Sequence, residues 1–154
     1  MVDLKPRGMR WSQFAEKQTF LTEGRTIESG DVSLFAGLSG DFNPLHISET
    51  FAKKTPFKSR VAHGLLTLSI STGQQNQLGI FEGTTLAYLG MDEVRFLAPV
   101  RFGDTVRTIL SVTSARVSSK PDRGVVAFDI TVKNQDDVDV LTYKQSVLMA
   151  GDPS

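Results

Sequence analysis

From Thr84 to Met149 the chain keeps to a period of two, in four stretches each long enough to be a strand: Thr84 to Leu97, Thr105 to Arg116, Val125 to Lys133 and Val138 to Met149. All four are rich in Val, Thr, Phe and Tyr, residues that suit a pleated, half-buried surface. Between them lie Pro99 to Asp104, Ser118 to Gly124 and Asn134 to Asp137, where Pro, Gly, Asp, Asn and Ser mark turns. Strands joined this way form hairpins. Little but a twisted antiparallel sheet can be built from such a half-chain, and whatever precedes it must cover that sheet.

The preceding half reads mainly as helix. Asp31 to Leu38 places Val32, Leu34, Phe35 and Leu38 in a short amphipathic pattern, with Ser29 or Asp31 as its cap. Ser48 to Lys54 reads as a second short helix, capped by Ser48, with Phe51 and Ala52 facing inward and Thr55-Pro56 at its end. Gly64 to about Leu78 is the longest helical pattern. Leu65, Leu66, Leu68 and Ile70 make its start apolar over much of its surface, the mark of a buried helix. Gln74 to Gln77 is expected to emerge into solvent, and Gly79 to terminate the helix. Thr19 to Ile27 reads as a first strand. Met1 to Lys17 reads as an arm with about one helical turn, in which Trp11 and Phe14 cover a core edge or a partner subunit. Helices followed by hairpin-linked strands give an α+β fold. At 154 residues the whole chain, 1–154 with 1–17 as its arm, is read as one domain.

Chemistry concentrates between Gly40 and Gly64. Gly40-Asp41-Phe42-Asn43-Pro44-Leu45-His46 offers a carboxylate and an imidazole five residues apart, which meet only if the chain bends. Pro44 fixes its own φ and steers Asn43 away from helix, so a bend is built in. Asp and His on one loop can activate a water. The same residues also make an ordinary turn, since Asp and Asn bond their own backbone.

The stretch Phe35-Ala36-Gly37-Leu38-Ser39-Gly40-Asp41-Phe42-Asn43-Pro44-Leu45-His46 resembles the signature of the MaoC-like hydratases, which include the (R)-specific enoyl-CoA hydratases. His63-Gly64-Leu65-Leu66 is similar to the family's second element, a His-Gly opening a long apolar helix. Arg95-Phe96-Leu97-Ala98-Pro99-Val100 with Gly103-Asp104-Thr105 is similar to its third. The resemblance implies a hot-dog fold, one long helix wrapped by an antiparallel sheet. It also implies addition of water across the 2,3 double bond of an acyl-CoA thioester, giving the (R)-3-hydroxyacyl product.

That reaction needs an activated water, a proton for Cα, and stabilisation of the thioester oxygen as enolate charge develops. Asp41 and His46 are the candidate pair for the first two, with the assignment of base and acid left open. Gly64 is the candidate for the third. At a helix start its N–H has no partner within the helix, the dipole favours negative charge, and no side chain bars a thioester. It also suits simple close packing. Asn43 orients the loop or a substrate group, or is a turn residue. Ser69 stands where the resemblance implies a serine near the catalytic pair, and is a candidate to bond and orient Asp41 or else bonds its own helix. His63 reads more as a structural residue at the helix entry than as a second catalytic imidazole. With no cysteine and two histidines, no zinc-dependent catalysis and no metal are expected.

Other classes are disfavoured. Seventeen basic and seventeen acidic side chains cancel, with no basic block for nucleic acid. No run approaches the length of a membrane span, and Met1 to Gln18 lacks the apolar core of a signal peptide. No Walker-type or Rossmann glycine pattern is present. Arg95, Arg101, Lys120 and Arg123 are available to coenzyme A phosphates, but none stands out. The expected partners are an acyl-CoA and a second copy of the chain, as a homodimer or an assembly of dimers. No separate cofactor is expected, since coenzyme A belongs to the substrate, and the expected compartment is the cytoplasm. The competing readings are a dehydratase of branched or dicarboxylic 3-hydroxyacyl-CoA, a non-catalytic acyl-thioester-binding domain and, least favoured, a thioesterase.

Overall fold

The computed structural model describes residues 7–152, so the first six residues of the expected arm lie outside the described residues. The four long alternating stretches form β3 (Thr85–Phe96), β4 (Thr105–Val117), β5 (Arg123–Lys133) and β6 (Asp139–Ala150). The expected first strand is two short pieces, β1 (Thr19–Leu21) and β2 (Arg25–Thr26), and both pair with β4. Every pairing is antiparallel, in the order β1-β4-β5-β6-β3, which leaves β3 as an edge paired only to β6. That pairing is interrupted by three register shifts, and Glu93 within it has a φ of 52°. β-Bulges of this kind bend and twist an edge.

Alternation selects one face for the core. Val106, Leu110 and Val112 of β4, Val126, Phe128, Ile130 and Val132 of β5, and Leu141, Tyr143, Val147 and Met149 of β6 are all buried. Against this face lies α4 (Gly64–Gln77), 14 residues and so about 21 Å long. The sheet wraps this helix in the hot-dog arrangement. Phe14 seals one end of the core, edge-on to Phe20 and Phe128. Trp11, in a 3₁₀ turn (Trp11–Gln13), lies so close to Gly124 that a Cβ there would meet its ring at 2.4 Å. Of the two roles expected for Trp11 and Phe14, both cover the core of their own chain.

Several local expectations are corrected. Helix α1 runs over Ser29–Ser39 with Glu28, not Ser29 or Asp31, at the N-cap; Asp31 instead accepts the Glu28 N–H at 2.9 Å. Its buried residues are Val32 and Ala36, whereas Leu34 and Leu38 face outward at 77% and 87% exposure. A one-turn helix not foreseen, α2 (Pro44–Ile47), precedes α3 (Glu49–Ala52), which Ser48 caps as expected. Ala52 is fully buried, but Phe51 is half exposed.

The largest correction concerns α4. Gln74 and Gln75 do not emerge into solvent; each is 3% exposed. The Gln74 amide donates to the carbonyls of Glu23 and Val106, and its oxygen accepts from Thr108. Gln75 donates to the Tyr143 hydroxyl and accepts from Gln145, which in turn accepts from Tyr88, each at 2.7 Å. Ser71 bonds Thr108 and Tyr143. Burial pushes both phenols above their ordinary range. The polar half of α4 is therefore pinned to the sheet by hydrogen bonds, while Leu65 at its apolar start is 59% exposed.

Candidate active site

The site is assembled by four short devices, each following from local sequence. Gly40 ends α1 with a φ of 79°, a left-handed cap that glycine takes without steric cost, and turns the chain towards Asp41. Ser39 accepts the Asp41 N–H at 3.2 Å, and the Asp41 carboxylate accepts the Asn43 N–H at 3.2 Å. Asn43 caps α2, its side-chain oxygen accepting the Leu45 N–H at 3.0 Å, and Pro44 fills the first helical position. Of the readings for Asn43, this bond is that of a turn residue bonding its own backbone. One turn later, His46 is half-buried and held by its Nδ1, 2.8 Å from the Val61 carbonyl.

His63 comes into the same place, which the sequence did not foresee. It is the N-cap of α4, 2% exposed, with its Nε2 2.9 Å from the backbone carbonyl of Asp41. Its ring lies on that of His46, with centroids 3.8 Å apart and planes tilted by 32°, and against Phe35 at 5.0 Å. Asp41, His46 and His63 each present one side-chain donor atom, and these three atoms lie within 4.8 Å of one another. The cue was that the only other histidine immediately precedes the long helix. A carbonyl oxygen only accepts, so His46 Nδ1 and His63 Nε2 carry the protons in these bonds. In each uncharged ring the other nitrogen is then a bare acceptor. His63 Nδ1 is buried with no hydrogen-bond partner among the described residues.

Gly64 opens α4 beside this cluster. His63 gives no side-chain cap, and the first intrahelical acceptor is its carbonyl, taken by Thr67 N–H. Among the described residues the N–H groups of Gly64, Leu65 and Leu66 have no acceptor. They form the positive end of the helix. A Cβ at Gly64 would meet the Phe96 ring at 2.8 Å, so the glycine is needed for packing whatever else it does. A cleft of about 430 Å³ adjoins it, lined by Val61, Gly64, Leu65, Phe96, Leu97 and Pro99 among others. The cleft is mostly apolar and large enough for part of an acyl chain.

Ser69 is not brought to the pair. Its hydroxyl donates to the Leu65 carbonyl at 2.8 Å, the back-bonding common for a mid-helix serine. Of the four cations considered for phosphate, Lys120 and Arg123 share one turn, where the Lys120 carbonyl accepts the Arg123 N–H. Arg123 pairs with Asp122, Arg101 donates to the Phe57 carbonyl and Ser59, and Arg95 bonds only the Val94 carbonyl.

Comparison with known proteins bears on this geometry. The family described as MaoC like domain matches residues 12–134. The (R)-specific enoyl-CoA hydratase of Rhodospirillum rubrum is 40% identical over 108 residues, 70% of this chain and 69% of that protein. The 3-hydroxybutyryl-CoA dehydratase of Methylorubrum extorquens is 39% identical over 107 residues, 68% of this chain and 66% of that one. The solved (R)-hydratase of Aeromonas caviae superposes with a TM-score of 0.74 at 29% identity, over 88% of this chain and 96% of that one. An Archaeoglobus structure described as a monoamine oxidase regulatory protein reaches 0.88 at 34% identity, over 95% and 97%.

Proposed function

The chain belongs to the MaoC-like domain family and is a hydro-lyase acting on acyl-CoA thioesters, and from that premise we propose that it is an (R)-specific enoyl-CoA hydratase using Asp41 and His46. The observation that carries the proposal is the convergence of the Asp41 carboxylate and the His46 imidazole beside the open N-terminus of α4. A water held between them loses a proton to the bare Nε2 of His46 while Asp41 accepts its other O–H. Its oxygen bonds to Cβ. The 2,3 π pair moves toward the thioester carbonyl, whose oxygen becomes an enolate facing the Gly64 N–H. Cα then takes the proton held by His46, so that one water is added and both groups return to their starting state.

His63 acts through the pair: its N–H fixes the Asp41 carbonyl and its ring supports His46. No separate cofactor is needed, since coenzyme A arrives with the substrate. Dehydration of the 3-hydroxyacyl thioester is the same path reversed. The name of the Methylorubrum relative favours keeping both directions open for this site.

A homodimer is part of the same proposal. β3 is an edge of 12 residues, and Leu86, Tyr88, Leu89 and Phe96 on it, with Leu97 after it, are about half exposed. A bare apolar edge invites pairing, and a two-fold axis along β3 satisfies it with a second copy. Among the described residues no helix is long and apolar enough to cross a membrane. The proposed compartment is the cytoplasm, whose reducing conditions suit a chain built without cysteine.

The test is a spectrophotometric assay with crotonyl-CoA. Loss of the 2,3-unsaturation absorbance without release of free thiol is expected. Thiol release instead would mean hydrolysis, and no change across short, long and branched acyl groups would leave only a binding domain.

A further inference from the structure

We propose that Lys53, Lys54 and Lys58, on the turn that follows α3, bind the phosphates of coenzyme A and so set a preference for coenzyme A thioesters over thioesters without phosphate. The inference rests on the acyl-CoA reading of the site and adds the residues that hold the far end of the substrate.

Charge is the first observation. The chain as a whole is neutral, yet four of its seventeen basic side chains fall between Lys53 and Arg60, and no Asp or Glu occurs from Thr50 to Phe81. Arg60 is engaged elsewhere: it pairs with Glu49 at 3.3 Å and lies over the Phe102 ring, 4.6 Å from its centroid. Lys53, Lys54 and Lys58 are exposed, and none of them pairs with a carboxylate among the described residues. Like charges gathered without a counter-ion repel one another and attract an anion.

Backbone geometry is the second. Lys53 and Lys54 end α3, their N–H groups bonded to the carbonyls of Glu49 and Phe51, and the Lys58 N–H closes a turn on the Thr55 carbonyl at 3.1 Å. The three lysines therefore flank one compact turn. Lys58 holds a φ of 63°, in the left-handed region that lysine enters only at a cost in free energy. Residues held there cluster at ligand clamps and active sites. The Arg101 guanidinium keeps the turn in place, donating to the Phe57 carbonyl at 2.8 Å and to Ser59, beside the backbone bridge from Arg101 to Val61. Arg101 is thus a positioning residue, spent on the turn.

The turn borders the catalytic cleft. Phe57 and Val61 line the same cleft as Gly64. A thioester whose oxygen faces the Gly64 N–H carries its acyl group on one side and its pantetheine arm on the other. That arm ends in the phosphates of coenzyme A and leaves the cleft over its rim. Lys58 directly follows Phe57 on that rim. Six residues separate it from Gly64, so the two lie no more than about 20 Å apart, within reach of an extended pantetheine arm.

The test compares crotonyl-CoA with crotonyl-pantetheine, which has the same thioester and no phosphate. In the wild type kcat/KM should favour crotonyl-CoA, and added salt should narrow the preference. Lys58→Ala should lower that preference by ~10-fold or more, through KM, and Lys58→Arg should restore most of it. Lys53→Ala, Lys54→Ala and Lys58→Ala combined should lower it further. A preference untouched by the triple variant overturns the site. So does a loss shared equally by both thioesters, which would mean a disturbed turn. An effect confined to a crotonyl group on an acidic acyl-carrier protein, with crotonyl-CoA untouched, overturns the coenzyme A assignment. Isothermal titration with free coenzyme A reads binding apart from turnover, and the triple variant should bind it ~10-fold or more weakly than the wild type. A wild type that hydrates neither thioester defeats the proposed function. Coenzyme A that fails to bind, or that binds wild type and triple variant alike, overturns the lysine site.

Discussion

Replacing Gly64 by alanine separates the catalytic role of the α4 N-terminus from its packing role. The added Cβ would sit 2.8 Å from two carbons of the Phe96 ring, closer than real contacts allow. Phe96 is 52% exposed, so its ring can swing aside. Losing the contacts of a half-buried phenylalanine costs about 1 kcal/mol, half of the ~1.5–3 kcal/mol for a fully buried large apolar side chain. Alanine in place of glycine in a helix returns up to ~1 kcal/mol. The net change in stability is within about 1 kcal/mol, or roughly 2–4 °C in Tm for a chain of this size. The displaced ring also lines the cleft beside Gly64 and crowds the approach to its N–H. Losing one oxyanion donor typically costs ~10²–10³-fold in kcat. The kinetic effect therefore exceeds the stability effect by at least a factor of two in free energy. Thermal unfolding and crotonyl-CoA kinetics on the same preparation decide the matter. A Gly64→Ala enzyme with a near-native Tm and kcat within about threefold of wild type would refute the oxyanion assignment, leaving only close packing.

Other predictions concern the pair, the core and the assembly. Asp41→Asn and His46→Gln should each lower kcat by ~10²–10⁴-fold with little change in Tm; near-full turnover in either would remove it from the mechanism. Gln75→Leu leaves the buried Gln145 amide N–H without its acceptor, while Tyr143 keeps its bond to Ser71, and should destabilise by about 1–3 kcal/mol in denaturant titration. An unchanged midpoint would show that the network contributes no net stability. Sedimentation of the active protein should give at least twice the 16.9 kDa chain mass, and a monomer that hydrates crotonyl-CoA would contradict pairing along β3.

The parts of the fold legible in the sequence were those fixed by local rules. β3 to β6 fall within two residues of the alternating stretches, and α4 begins at Gly64, because period-two patterning and turn residues act locally. Gly40, Asn43 and Pro44 shape the Asp41–His46 loop by the turn and cap chemistry their types imply. What escaped depends on tertiary partners. Gln74 and Gln75 look like a solvent-facing tail until Thr108, Tyr143 and Gln145 on the sheet are seen to satisfy their amides. Leu34 and Leu38 look like core, but α1 needs only the narrow stripe of Val32 and Ala36. His63 could not be placed against His46 from sequence, since their contact is set by the turn through Val61. Ser69, six residues along the helix, instead bonds its own backbone at Leu65.

The measurement closest to the central claim is chiral analysis of the product formed from crotonyl-CoA by the wild-type chain. Asp41 and His46 lie in one cluster, so water is delivered to Cβ from one side only. The account predicts 3-hydroxybutyryl-CoA of (R) configuration alone, with none formed by the Asp41→Asn enzyme. A racemic or (S) product, or the same (R) product at an undiminished rate without the carboxylate, would contradict it.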